Sequence, residues 1–487
     1  MSTPTALHAL TALEQAAAVR AGDTTPEELV RHHLARAEAF DERFGAFVTR
    51  TPEAALDAAA ALRERPVGEH SSPLFGVPTA VKDLTDTAGV PTTYGSKAFL
   101  EHVPAVDAHS VSRLRAAGTV SIGKTNTPEF GLCCYTDNDL RGAARNPWNP
   151  ALSAGGSSGG GAVAVALGLV PVAHASDGGG SIRIPASVCG LFGIKPSRGR
   201  VSSGPAGAEV TGLSVQGPLA RSVRDAAALL DALAGPEPGD PHWAAPLPPG
   251  ETFLGHAERS PGRLRIGRYA TPAAEGITVD PECVAAWEHA AKLLESLGHV
   301  VEDIPTPFGP EISEHFVSAW GVQSLGHALD AEREALLRPV TRAWREYGRA
   351  VSGERFAAAI TGMHRASRRA IRATAAYDVI LTPTLATVPQ PVEHFDESGD
   401  PLVALHRQTP FSAFTSPYNM TGQPAVNVPL YWTPEEGLPI GVSLVGRPAD
   451  EATLISLSAQ LEEALPWRDR YERLLAPSAP AGAAVRP

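Results

Sequence analysis

Cysteine is scarce, with 4 among 487 residues, and none falls in a C-x-x-C spacing. Cys133 and Cys134 are neighbours, whereas Cys189 and Cys283 stand alone. That pattern excludes a disulfide framework and a cysteine-based zinc or redox centre. No HExxH or comparable cluster takes its place, so neither a metal nor a cofactor is expected. Long hydrophobic runs are also missing. The most apolar stretch, 162–173, is interrupted by Gly168 and Pro171, and a membrane span needs about 20 apolar residues. The start, Met1-Ser2-Thr3-Pro4, has neither the basic nor the apolar region of an export signal. Positive charge is outnumbered, with Lys+Arg 41 against Asp+Glu 53 and a net charge of −12. This argues against nucleic acid or an anionic membrane as the main partner. The expectation is a soluble, cytoplasmic enzyme.

Glycine and proline are plentiful, at 46 and 44 residues, against usual shares of roughly 7% and 5%. No collagen period accompanies them, and 43% apolar residues can bury a large core, which excludes general disorder. Thr25, Pro26 and Glu28 form a capping-box start for a helix to about Phe40. A second, alanine-rich helix is predicted over 51–63. Residues 75–83 read as a buried strand ending on Lys82-Asp83, 110–117 as a helix and 119–122 as a strand. The apolar run 162–169 reads as a helix. A β-α-β unit follows, with strands at 264–267 and 300–304. Asp280 caps its helix, Val284, Trp287, Ala291 and Leu294 form the stripe, and Gly298 ends it. Residues 311–376 read as helical and 379–384 as a strand. The alternation predicts an α/β fold. Residues 235–250 form a proline-rich excursion, and the tail 476–487 is expected to fray. With core-like segments on both sides of the excursion, 1–475 is predicted to be a single domain.

The richest glycine zone holds Gly155-Gly156-Ser157-Ser158-Gly159-Gly160-Gly161, then Asp177-Gly178-Gly179-Gly180-Ser181. Consecutive glycines can turn several N–H groups toward one point. A serine at that point would have donors beside it for a developing oxyanion, as acyl transfer requires. Competing readings are a flexible linker, a phosphate loop lacking its Lys-Ser/Thr, and a nucleophile elbow. Residues 155–159 match GxSxG, which would make Ser157 the nucleophile of an α/β-hydrolase-like esterase, with His174 the nearest downstream histidine.

Taken with Ser176 to Ala186, Cys189 to Pro196, Lys82-Asp83, Lys124 to Phe130, Arg145 to Pro150, Asp378 to Thr384, Tyr418 to Ala425 and Gly441 to Gly446, these runs resemble the amidase signature family over nearly the whole chain. The resemblance implies a central twisted mixed β-sheet covered by helices on both faces. It also implies a serine hydrolase that cleaves a carboxylic amide through an acyl-enzyme. Ser181 is then the nucleophile, Ser157 the cis-serine bridge and Lys82 the base, with Gly178, Gly179 and Gly180 at the oxyanion. Lysine can act as a base only where burial makes its neutral form accessible, and Lys82 closes an apolar strand. Leu132, Cys133 and Cys134 fall where relatives line the acyl side of the pocket, with plain core packing as the alternative. Asp177 and Arg183 are expected to brace the glycine loop, with Asp83 also in a supporting role. Many relatives carry a larger residue at the position of Gly178, so the loop here is expected to be wider or looser. The form of that loop leans toward the aryl-acylamidase and 6-aminohexanoate-cyclic-dimer hydrolase branch. A glutaminase-type amidotransferase subunit of the same family is the alternative. The partners implied are a small-molecule amide and a second copy in a homodimer.

Overall fold

Capping chemistry sets the first elements of the computed structural model, which describes residues 6–65, 72–207 and 210–476. Thr25 and Glu28 close the capping box on helix Pro26–Phe44. The helix runs one turn beyond the predicted end, to Gly45 in the left-handed conformation. Helix Pro52–Ala61 follows a short strand, β1 (Phe47–Arg50). The predicted strand over 75–83 is shorter, β2 (Pro78–Lys82), because Gly76 at φ +81 occupies a turn before it. Helix His109–Ala116 leads into β3 (Val120–Thr125), longer than predicted by the Lys124-Thr125 end. Strands β1, β3 and β2 form a small sheet, in which β2 and β3 are parallel.

The eight remaining strands make the large mixed sheet. They are β4 (Val172–Asp177), β5 (Phe192–Lys195), β6 (Val215–Ala220), β7 (Arg265–Arg268), β8 (Val300–Asp303), β9 (Val379–Pro383), β10 (Ala425–Trp432) and β11 (Pro439–Gly446). Their order is β4-β6-β5-β10-β11-β9-β7-β8. Pairing is antiparallel from β4 to β9, and parallel through β9, β7 and β8. Helices flank this sheet, so the α/β class and the mixed sheet stand as read from the sequence. The β-α-β unit is present, with helix Pro281–Ser296 between β7 and β8. Its stripe differs slightly, since Cys283 and Ala286 are buried and Val284 only partly so. The 311–376 region is four helices, Glu311–Gln323, Ala331–Ala335, Pro339–Ala350 and Gly353–Ala373. Residues 236–250 have no helix or strand, and of the expected tail only Ala476 lies within the described residues.

The helix expected over 162–169 instead spans Gly159–Ala166. Its glycines allow the shift. A Cβ on Gly159 would meet Thr136 Oγ1 at 2.5 Å, and one on Gly160 would strike the backbone of Asn126 and Ala46. The helix thus starts where only glycine fits, and its N-terminus is pressed against the end of β3. Next to it, β2 abuts β4. Thr79 Oγ1 donates to Val172 O at 3.1 Å, and the Lys82 N–H to His174 Nδ1 at 3.4 Å. This junction between the two sheets carries Lys82 into the glycine zone.

Candidate active site

Lys82 is fully buried at the end of β2. Its Nζ donates to Ser157 Oγ at 2.7 Å and to Ser176 Oγ at 3.0 Å. Burial pushes the ammonium down to about 7, against the opposing pull of the Asp177 carboxylate. Ser157 lies on the loop before helix Gly159–Ala166 and is joined to Gly156 by a cis peptide. Glycine is required around it. A Cβ on Gly156 would collide with the Tyr135 backbone, and one on Gly131 would stand 3.2 Å from Ser157 Oγ. The predicted lysine and bridging serine are therefore in direct contact. Ser181 is on the adjoining loop, whose carbonyl accepts the Ser158 N–H at 3.2 Å. Its hydroxyl makes no direct hydrogen bond to that of Ser157 in this structure, and Ser181 lines a cavity of about 340 Å³.

The loop from Asp177 to Arg183 is held by one buried carboxylate. Asp177 accepts from the N–H groups of Gly180 and Ile182 at 2.7 and 3.1 Å. It also accepts from Arg183 Nε and Nη2, both at 2.9 Å, and from Asn419 Nδ2 at 2.9 Å. Burial opposes its ionisation, but the Arg183 guanidinium, Lys195 and these donors outweigh it and hold the carboxyl well below the usual range. The bracing role expected of Asp177 and Arg183 is what the contacts describe. The Gly180 N–H is consumed by that brace. The loop residues that both line the cavity and keep an N–H free of partners among the described residues are Gly179 and Ser181. Gly178 and Gly180 do not line it. Thr415 Oγ1 completes the fastening, donating to Gly179 O at 2.7 Å.

Gly178 does not leave the loop loose. A Cβ there would lie 2.9 Å from the Trp320 ring and 2.9 Å from Ser214 Oγ, so an indole already fills the space a larger residue would take. Trp320 stacks on Phe316 with ring centroids 5.3 Å apart, and its Nε1 donates to Leu132 O at 3.2 Å. Leu132, Cys133 and Cys134 line the same cavity, with Trp344, Tyr347 and Met420 also on its wall. Leu132 and Cys133 are buried and Cys134 half-buried, and burial pushes the Cys134 thiol up to about 12, which disfavours its thiolate. Among the described residues, no Asp, Glu, Lys or Arg side chain lines this cavity. Asp83 turns away from Lys82. It accepts from the Thr93 N–H at 3.0 Å and pairs with buried Lys124 at 3.6 Å. His174 is not a base for Ser157, since its Nε2 is hydrogen-bonded to Gln216 Oε1 at 2.7 Å and burial lowers its pKa to about 4. Among the described residues no group of His, Cys, Asp and Glu is arranged to hold a metal.

Sequence reasoning missed Ser176, Thr415, Asn419, Phe316 and Trp320 as site residues. Ser176 and Asn419 sit inside matched runs, so the signal was there. Trp320 lies in an ordinary apolar stripe on helix Glu311–Gln323, which pattern alone assigns to the core.

The family model for Amidase matches residues 28–455, which, with a mixed sheet of this topology, defines an amide hydrolase. The chain belongs to that family. It is 42% identical over 481 residues to AmiB2 of Mycobacterium tuberculosis, a protein named as an amidase, covering 96% of this chain and 98% of that one. It is 38% identical over 495 residues to the 6-aminohexanoate-cyclic-dimer hydrolase of Paenarthrobacter ureafaciens, covering 96% and 97%. A solved bacterial aryl acylamidase superposes with a TM-score of 0.84 at 28% identity, over 96% of this chain and 98% of that one.

Proposed function

We propose that this amidase works through an acyl-enzyme on Ser181, with Ser157 and Lys82 as its proton relay. The contact that carries the reading is Lys82 Nζ to Ser157 Oγ at 2.7 Å in a buried setting. Neutral Lys82 takes a proton from Ser157 as Ser157 takes one from Ser181, and Ser181 Oγ attacks the amide carbon. The N–H groups of Gly179 and Ser181 receive the oxyanion. The proton returns through Ser157 to the leaving nitrogen, and water releases the acyl group. An uncharged cavity of about 340 Å³ suits a neutral, apolar acyl group, linear or cyclic. Residues 1–475 are read as one amidase domain of a cytoplasmic homodimer, in keeping with four unpaired cysteines. Neither nucleic acid nor a membrane is assigned a role. Among the described residues no helix is long and apolar enough to cross a membrane.

Intact-mass analysis after a fluorophosphonate or an activated amide tests the nucleophile. The adduct is expected on Ser181 and absent from a folded Ser181→Ala protein. An adduct on Ser157 instead would restore the esterase reading and remove this one. Light scattering decides the oligomeric state.

A further inference from the structure

A relay through Lys82 works only if the lysine is held where its amine meets Ser157, and β4 supplies that hold at two places. The Lys82 N–H donates to His174 Nδ1 at 3.4 Å, and Lys82 Nζ donates to Ser176 Oγ at 3.0 Å. His174 and Ser176 share one face of β4, because side chains alternate along a strand. The main chain of the lysine is therefore fastened through His174 and its amine through Ser176. Thr79 Oγ1, donating to Val172 O at 3.1 Å, sets the same strand pair three residues earlier.

The imidazole is itself fixed from its other side. His174 is wholly buried, so both ring nitrogens need partners. Nδ1 accepts from the Lys82 N–H, so the ring proton is on Nε2, which donates to Gln216 Oε1 at 2.7 Å. The chain of bonds has one polarity, from the Lys82 amide through the imidazole to the Gln216 carbonyl. A proton on Nδ1 would instead set two N–H groups against each other and leave Oε1 facing a bare nitrogen. Gln216 stands on β6 directly opposite Ser176, so His174, Ser176 and Gln216 form one patch on the face that meets Lys82. Ser176 and Gln216 also line a cavity of about 890 Å³. The patch is therefore part of a cavity wall as well as of the core.

We infer that His174 is a positioning residue for the base, with Gln216 fixing its tautomer so that Nδ1 holds the Lys82 main chain. The inference rests on the relay proposed above, because that relay makes the place of the amine matter for the rate. His174 touches neither serine of the relay and moves no proton. A neutral ring is what the hold requires, and burial, by lowering the His174 pKa to about 4, keeps it neutral. An apolar residue would fill the same space without giving the Lys82 N–H an acceptor, and a buried donor left without one is costly.

Hydrolysis of butyramide by His174→Leu, His174→Asn and Gln216→Met tests the hold. Leucine removes both bonds, and kcat is expected to fall about ten- to a hundredfold with KM little changed. Asparagine keeps an acceptor where Nδ1 stands and is expected to recover most of that loss. A residue that only fills space predicts the reverse order, since leucine is the better match in volume. Hydrogen–deuterium exchange at the Lys82 amide reads the same contact without turnover. It is expected to quicken in His174→Leu and Gln216→Met and to stay slow in His174→Asn. If the leucine variant does not fold, Gln216→Met carries the test, because it leaves the ring in place. Native kcat and native exchange in either folded variant would overturn the inference, as would an asparagine variant no better than leucine. Normal turnover by Lys82→Ala would remove the relay instead, and exchange that depends on residue 174 would still establish the hold.

Discussion

In the proposed relay, Lys82 can serve as a base only because of where β2 ends. Its burial moves the ammonium down to about 7, so the neutral form needed to accept a proton dominates above that value. The rate of acylation is expected to rise with pH through about 7 and then level off, and to fall as acid protonates the amine. Lys195 is a second fully buried lysine, also pushed down to about 7 by burial, and among the described residues its Nζ donates to Pro196 O at 3.0 Å and to neither serine. A kcat/KM profile of Lys195→Met that keeps the same limb would assign that limb to Lys82. Loss of the limb in that variant would assign it elsewhere. Replacing Lys82 by Ala is expected to cut kcat by about a thousandfold or more while KM changes little. Single-turnover kinetics on the same amide would read this directly. Lys82, Ser157 and Ser181 were legible because each lies in a run whose spacing is distinctive. Ser176, the other acceptor for Lys82, lay in the same run but had no feature to separate it from a loop serine.

At the scale of elements, the loop that carries Ser181 is made rigid by what surrounds it. Asp177 collects two backbone donors and three side-chain donors, and its partner Arg183 is wholly buried. Removing one member strands a buried charge, so Arg183→Met is expected to destabilise the protein by about 3–5 kcal/mol. Urea titration of the variant would measure the shift. Gly178 illustrates what sequence pattern can and cannot supply. The sequence shows that a small residue stands three positions before Ser181, and the simplest expectation is a looser loop. The fold corrects this, because Trp320 arrives from 142 positions along the chain, 320 − 178, and fills the space. Such a partner is invisible to local periodicity, which sees only a tryptophan on an apolar helical face. Gly178→Ala should therefore clash with the indole, costing about 1–3 kcal/mol in stability and part of the activity. Trp320→Leu should relieve that clash, so the double variant is expected to be more active than Gly178→Ala alone. Strict additivity in the double-mutant cycle would show that the two do not meet in solution.

Across the whole molecule, the sequence yielded the α/β class, the β-α-β unit and the capped helices, since these depend on residues close in the chain. Strand order was not legible. Nothing local says that β4 and β8 are opposite edges of one sheet, or that β2 lies beside β4 as part of another. Nor could the sequence locate the cavities, which arise where residues far apart in the chain converge. The same convergence closes the chain on itself. Arg36 Nη2 donates to Leu474 O at 2.8 Å, and Arg468 pairs with Glu14 at 2.8 Å. Trp467 is buried, with its Nε1 donating to Arg221 O at 2.7 Å, while Arg221 Nη2 donates to Leu10 O at 2.9 Å. The last described turns therefore fasten Leu10, Glu14 of helix Ala12–Ala21 and Arg36 of helix Pro26–Phe44 to the end of β6 and, through β4, to the loop that carries Ser181. If the chain is one domain, loosening this clasp must be felt at the site. Trp467→Ala removes a large buried ring and leaves the Arg221 carbonyl without that donor, so a loss of about 3–5 kcal/mol is expected. Calorimetry should then show one transition at lower temperature, with activity lost over the same interval. Two separated transitions, with the catalytic serines still reactive after the first, would instead divide the chain into independent units.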